Sequence, residues 1–126
     1  MKTFLWTLLL ISAFKVEGQD TVQFPSLKNQ IDSLAFIDKK VGQQVRYGKI
    51  EDRDSLRKIV KQTFIGNTEL LKQIIAKFDF PGYDKVGKEG SKNFLLCVQH
   101  SDHDLKFQED VLKKMKREVK RKNADP

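Results

Sequence analysis

The chain reads as an all-α protein: a single-domain helical bundle or array of about five helices, preceded by a signal peptide. Three observations carry that expectation. Apolar residues recur at three- and four-residue steps through most of the chain, and no segment alternates with period two over a strand's length. Pro and Gly are concentrated outside the periodic segments.

The N-terminus sets the expected compartment. Lys2 leads an uncharged apolar run from Phe4 to Phe14, too short for a spanning helix, which needs about 20 residues. Val16-Glu17-Gly18 then offers a cleavage exit, so residues 1–18 read as a secretory signal and Gln19–Pro126 as the helical domain. The expected localisation is secreted or periplasmic, with cleavage near Gly18 and no transmembrane span afterwards.

Pro25-Ser26 opens the first helix. Leu27, Ile31, Leu34, Val41 and Val45 share one face, Asp38 interrupts the stripe, and Arg46-Tyr47-Gly48 closes it. Asp52 or Asp54 caps a second helix carrying Leu56, Ile59, Val60, Thr63 and Phe64. Gly66-Asn67 punctuates, with Asn67 capping a third helix whose stripe is Leu70, Leu71, Ile74, Ile75 and Phe78. Phe80-Pro81-Gly82-Tyr83 breaks the pattern, and Gly87 and Gly90 keep the next stretch irregular. Ser91 caps a fourth helix containing the apolar run Phe94–Val98, for which a short buried strand is the alternative. The fifth helix starts at Asp102 or Asp104 and turns Leu105, Val111, Leu112, Met115 and Val119 inward.

Composition narrows the function. The net charge is +7, and +6 without residues 1–18, which hold Lys2, Lys15 and Glu17. The basic excess crowds the last helix, where Lys113, Lys114, Lys116, Arg117, Lys120, Arg121 and Lys122 surround Glu118. These cations suit the negative end of a helix dipole. As a partner surface, Lys113, Lys114, Arg117, Lys120 and Arg121 would meet an anionic surface. Export and the lack of an aromatic-and-basic stacking motif argue against nucleic acid. The single cysteine, Cys97, sits in an apolar run and reads as a buried hydrophobe rather than a nucleophile.

The chemistry-bearing stretch is Gln99-His100-Ser101-Asp102-His103-Asp104, followed by Gln108. It gathers both histidines with two carboxylates at the end of an apolar element, at the junction of the fourth and fifth helices. The candidate catalytic residues are His100 and Asp102, an imidazole oriented by a carboxylate for general acid–base work. The candidate binding residues are Gln99, Asp104, Gln108 and Arg46. The structural alternative makes Asp102 or Asp104 an ordinary N-cap and His100 a histidine that locks two helices together. His100-x-x-His103 matches no established zinc spacing, so no metal and no cofactor is assigned. Ser101 has no nucleophile-elbow motif around it.

These residues also carry a resemblance. Ile74-Ile75, Phe80-Pro81, Val86-Gly87-Lys88-Glu89-Gly90 and above all Gln99-His100-x-Asp102-x-Asp104-x-x-Phe107-Gln108 resemble an uncharacterised, mostly bacterial family, domain-of-unknown-function family 6624. The resemblance runs from about Ile37 to the C-terminus, with Gln43-Gln44-Val45-Arg46 a looser match. It implies an acid where Gln43 stands and an Asp where Phe64 stands. It also implies a further helix with an Asp-Arg pair and a Tyr-Gly-Thr-Gln terminus, of which Asn123-Ala124-Asp125-Pro126 looks like the beginning, so the chain reads as a C-terminally shortened member. The resemblance supplies a site location and no activity. The expectation is an exported helical binding or interaction module with a polar site at the junction. A hydrolase using a His/Asp pair or a metal site is one alternative, and a shortened inactive family copy is another.

Overall fold

The structure, a computed structural model, describes residues 21–126, so the expected signal peptide lies outside the described residues. Four α-helices follow one another: α1 Pro25–Tyr47, α2 Arg53–Phe78, α3 Tyr83–Gln99 and α4 Leu105–Lys120. A 3-10 turn at Ile50–Asp52 joins α1 to α2. No strand occurs among the described residues, so the all-α expectation holds and the Phe94–Val98 run is helical. No helix among them is long and apolar enough to cross a membrane.

The count of five helices is corrected to four, because the expected second and third are one. Gly66 lies inside α2, and a Cβ built there would have no atom within 4 Å. A glycine on an open helix face weakens the helix by about 1 kcal/mol relative to Ala, which is too little to end it when tertiary packing favours continuation. Asn67 is buried and directs its side chain to another helix instead of capping. A second correction concerns α3, which begins at Tyr83, well before Ser91. Its only break is at Gly87, where φ is 73° and ψ is 173°, a conformation that requires glycine. The helix resumes at once, leaving the Ser91 hydroxyl buried within it without a hydrogen-bond partner among the described residues.

α1 packs on both α2 and α3, and α4 lies on α3. The core joins Leu27, Ile31, Leu34 and Ala35 of α1 to Leu71 and Ile74 of α2, and to Val86, Phe94 and Cys97 of α3. Phe80, in the turn before α3, meets Phe94 edge-on with ring centroids 5.8 Å apart. α1 and α3 approach closely at Gly90, where a Cβ would fall 2.9 Å from Val86 Cβ and 3.3 Å from Lys28 Cγ. α4 contributes Phe107 and Val111 to the core, whereas Leu105 and Leu112, expected inward, are exposed. After α4 the chain turns back onto the start of α3. There Asn123 O accepts from Tyr83 N at 2.9 Å, and Asn123 Oδ1 accepts from Asp84 N at 2.9 Å.

The basic face of α4 is partly neutralised within the fold. Arg117 pairs with Asp79 at 2.9 Å, Lys114 with Asp79 at 3.4 Å, and Arg121 with Glu118 at 3.3 Å. Lys113 and Lys120 have no carboxylate partner among the described residues.

Two glycine substitutions test this architecture. Gly66→Ala is expected to raise the unfolding free energy by about 0.5–1 kcal/mol, since it adds helix propensity at an open position. Gly87→Ala is expected to lower it by about 1–3 kcal/mol, because the backbone there excludes a Cβ. Urea denaturation measures both, and a destabilising Gly66→Ala would restore the break between two helices.

Candidate functional site

The site is built around a buried charge. Asp38 interrupts the apolar stripe of α1, and its residue exposure is 1%. A carboxylate taken out of water needs partners for its oxygens. Two are supplied from different helices. Asn67 Nδ2 of α2 donates to Oδ1, and Nδ1 of His100, at the end of α3, lies 2.8 Å from Oδ2. The Cys97 thiol lies beside the same carboxylate, and burial together with that negative charge pushes it up to about 12. Cys97 is therefore a protonated core residue at neutral pH.

One face of α2 serves this arrangement. Phe64, Asn67, Thr68 and Leu71 follow the three- and four-residue spacing that aligns side chains on a helix. Phe64 stacks on the His100 ring, with centroids 4.5 Å apart and planes at 13°. Thr68 donates its hydroxyl to Phe64 O at 2.8 Å, and its Oγ1 lies 2.6 Å from Ser101 Oγ in a pair closed to solvent. His100 is thus held at its edge by Asp38, on its face by Phe64, and through the following residue by Thr68. With Nδ1 against the carboxylate, Nε2 is the nitrogen left for an outside partner.

Outside the ring lies a cleft of about 460 Å³ between α1, α2 and the α3–α4 turn. Gly42 and Val45 line it from α1, and Arg57, Val60, Lys61 and Phe64 from α2. Gln99, His100, Asp102 and His103 complete it.

The sequence-predicted residues divide between two tasks. Gln99, His100 and Asp102 share the cleft. Asp102 is exposed and forms no hydrogen bond to His100, so the orienting carboxylate expected at Asp102 is Asp38 instead. The reason is geometric: the end of α3 turns the imidazole inward toward α1, while Asp102 lies on the outer side of the turn. Asp104 and Gln108 face elsewhere and secure the junction. Asp104 caps α4, accepting from Phe107 N at 3.1 Å, and pairs with Lys72 at 2.5 Å. Gln108 Nε2 donates to Val98 O at 3.0 Å and Gln99 O at 3.4 Å, satisfying carbonyls at the end of α3. Arg46 is exposed on α1, does not line the cleft and has no ion-pair partner among the described residues. Where the resemblance implies an Asp, Phe64 covers the imidazole face. Gln43 lines a separate shallow groove with Tyr47 and Leu56. Among the described residues, no three His, Cys, Asp or Glu side chains converge as metal ligands would.

Asp38, Asn67 and Phe64 pack or hydrogen-bond around His100, and the sequence placed none of them at the candidate site. Asp38 did leave a signal, as the one charge inside an apolar helical stripe. Asn67 read as a helix cap and Phe64 as a departure from the family pattern, and neither signal names a partner, because their partners are fixed only by tertiary contact.

Asp38→Ala strands Asn67 Nδ2 and His100 Nδ1 and is expected to lower the unfolding free energy by about 3 kcal/mol. His100→Ala, removing a third-exposed ring, is expected to lower it by about 1–2 kcal/mol. Denaturant unfolding that reverses this order would displace Asp38 as the hub. The Lys72 ammonium, with the Phe107 backbone N–H, holds the Asp104 carboxyl below its ordinary value. A depressed carboxylate stabilises the fold above its unfolded pKa and loses that contribution as the pH falls through its folded value. Asp104→Asn keeps the cap but removes the charge, so the variant is expected to unfold more readily than the parent at pH 7. The two should converge at a pH below the normal carboxylate range, and a gap unchanged with pH would disprove the ion pair's role.

No curated protein and no solved structure matches the chain. A family model does match, described as a family of unknown function (DUF6624), over residues 25–124. That span takes in all four helices, the Asp38–His100 pair and the α3–α4 junction, and the chain belongs to this family of unknown function.

Proposed function

We propose that this chain is an exported helical domain that binds a small ligand in the cleft in front of His100. The observation that carries the reading is the pairing of half-buried His100 with buried Asp38 at 2.8 Å, which leaves Nε2 of a held ring for the cleft of about 460 Å³ that His100 lines. Ligand sites commonly enclose about 300–1,000 Å³ with mostly apolar walls and a few placed polar groups. Gly42, Val45, Val60 and Phe64 are such walls, and His100, Gln99 and Asp102 such polar groups. Export to a secreted or periplasmic location is supported by Lys2, the Phe4–Phe14 run and the small residue Gly18.

A second reading is hydrolysis, favoured by the same pair. A carboxylate that fixes the imidazole tautomer leaves Nε2 able to take a proton from water. Water would be the nucleophile, since Ser101 is fully buried against Thr68 and Cys97 is buried and protonated.

A fragment screen by protein-observed NMR tests the binding reading. Hits are expected to shift the amides of Gly42, Val60, Phe64 and His100 together, and hits that leave these amides unmoved would overturn it. Binding alone predicts that p-nitrophenyl esters and phosphates are hydrolysed no faster than in buffer. Turnover that His100→Gln abolishes would establish the hydrolase in its place. A secreted product beginning near Gln19 is the expected result of N-terminal sequencing, and a product retaining Met1 would remove export.

A further inference from the structure

The charge lining the cleft specifies the class of ligand. We infer that the cleft takes an organic anion, a phosphate or carboxylate head on a flat apolar body. This rests on the cleft being the binding site.

α2 presents Arg57, Val60, Lys61 and Phe64 to the cleft at the spacing of one helical face, so two cations alternate with two apolar side chains. His100 and His103 add two imidazoles from the α3–α4 turn. Among the described residues, Asp102 is the only acid lining the space. The other carboxylates nearby are accounted for. Asp38 lies behind the His100 ring, engaged by Asn67 and His100, and closed to solvent. Asp54 approaches Arg57 only to 3.8 Å, with its own side chain fully exposed, which leaves the guanidinium available. Lys61 has no carboxylate partner among the described residues.

The walls determine the rest of the ligand. Phe64 and His100 form a stacked pair, and Val45 and Val60 add apolar surface beside it. Gly42 is open on its helix, with nothing within 4 Å of a Cβ, which leaves room on the α1 side. A purely inorganic anion would leave these walls in contact with water. A neutral aromatic would make no use of the two cations. Only an anion with a flat body uses both, its head accepting charge-assisted hydrogen bonds from Arg57 and Lys61.

The test titrates 15N-labelled full chain with phenyl phosphate, benzoate, benzyl alcohol and inorganic phosphate. Phenyl phosphate or benzoate is expected to shift the Gly42, Val60, Phe64 and His100 amides and to bind about tenfold more tightly than benzyl alcohol. Added salt should weaken the anions and spare benzyl alcohol. Arg57→Gln with Lys61→Gln, both at solvent-exposed helical positions, is expected to reduce anion affinity about tenfold with the melting temperature unchanged. If benzyl alcohol binds at the cleft as tightly as the anions, or the double variant keeps their affinity, the anion inference fails while the cleft stands. Inorganic phosphate binding as tightly as phenyl phosphate overturns the apolar body. If neither anion moves these amides, the inference fails; fragment hits elsewhere on the protein would remove the cleft as well.

Discussion

A carboxylate buried to 1% exposure sets the terms for the rest of this structure. Asp38 stands where α1 would otherwise present an apolar side chain, and an unpaired charge there would be strongly destabilising. The fold answers by converging two other helices on it, Asn67 from α2 and His100 from the end of α3. Each partner has to arrive in a specific register. α2 must run unbroken through Gly66 for Phe64, Asn67 and Thr68 to lie on one face, and α3 must end at Gln99 for His100 to turn inward. An apolar core tolerates shifts of a methylene or so at modest cost, but hydrogen bonds to a buried carboxylate do not. The polar hub therefore specifies the mutual placement of three helices more narrowly than the surrounding Leu, Ile and Phe contacts.

The α3–α4 junction separates structural from accessible chemistry within a few residues. Ser101 faces inward to Thr68, Asp104 caps α4 and pairs with Lys72, and Gln108 covers the last carbonyls of α3. Those groups are engaged within the fold. His100 belongs to both sets, with one ring nitrogen on the hub and the other left for the cleft. Rigid support on one side and solvent access on the other is the arrangement that lets a histidine meet a ligand at little reorganisation cost.

Legibility followed the range of the interactions. The limits of α1, the Asp104 cap and the buried state of Cys97 were readable because each depends on near neighbours or on local periodicity. The Gly66-Asn67 punctuation misled because local propensity is a weak prior and packing overrode it. Asp102 was the nearest carboxylate in sequence to His100, whereas Asp38, 62 positions away, is the nearest in space. Leu105 and Leu112 of α4 read as core but are exposed, while Phe107 and Glu118 are buried.

By itself the sequence determined the helical class, the basic charge and the stretch that holds both histidines. Those follow from composition and short-range spacing, which the chain carries wherever it folds. Tertiary structure alone decided which carboxylate holds His100, that Phe64 covers its face, and that Arg57 and Lys61 share its cleft. These depend on the crossing of α1, α2 and α3, and helical periodicity states which residues share a face but not which faces meet.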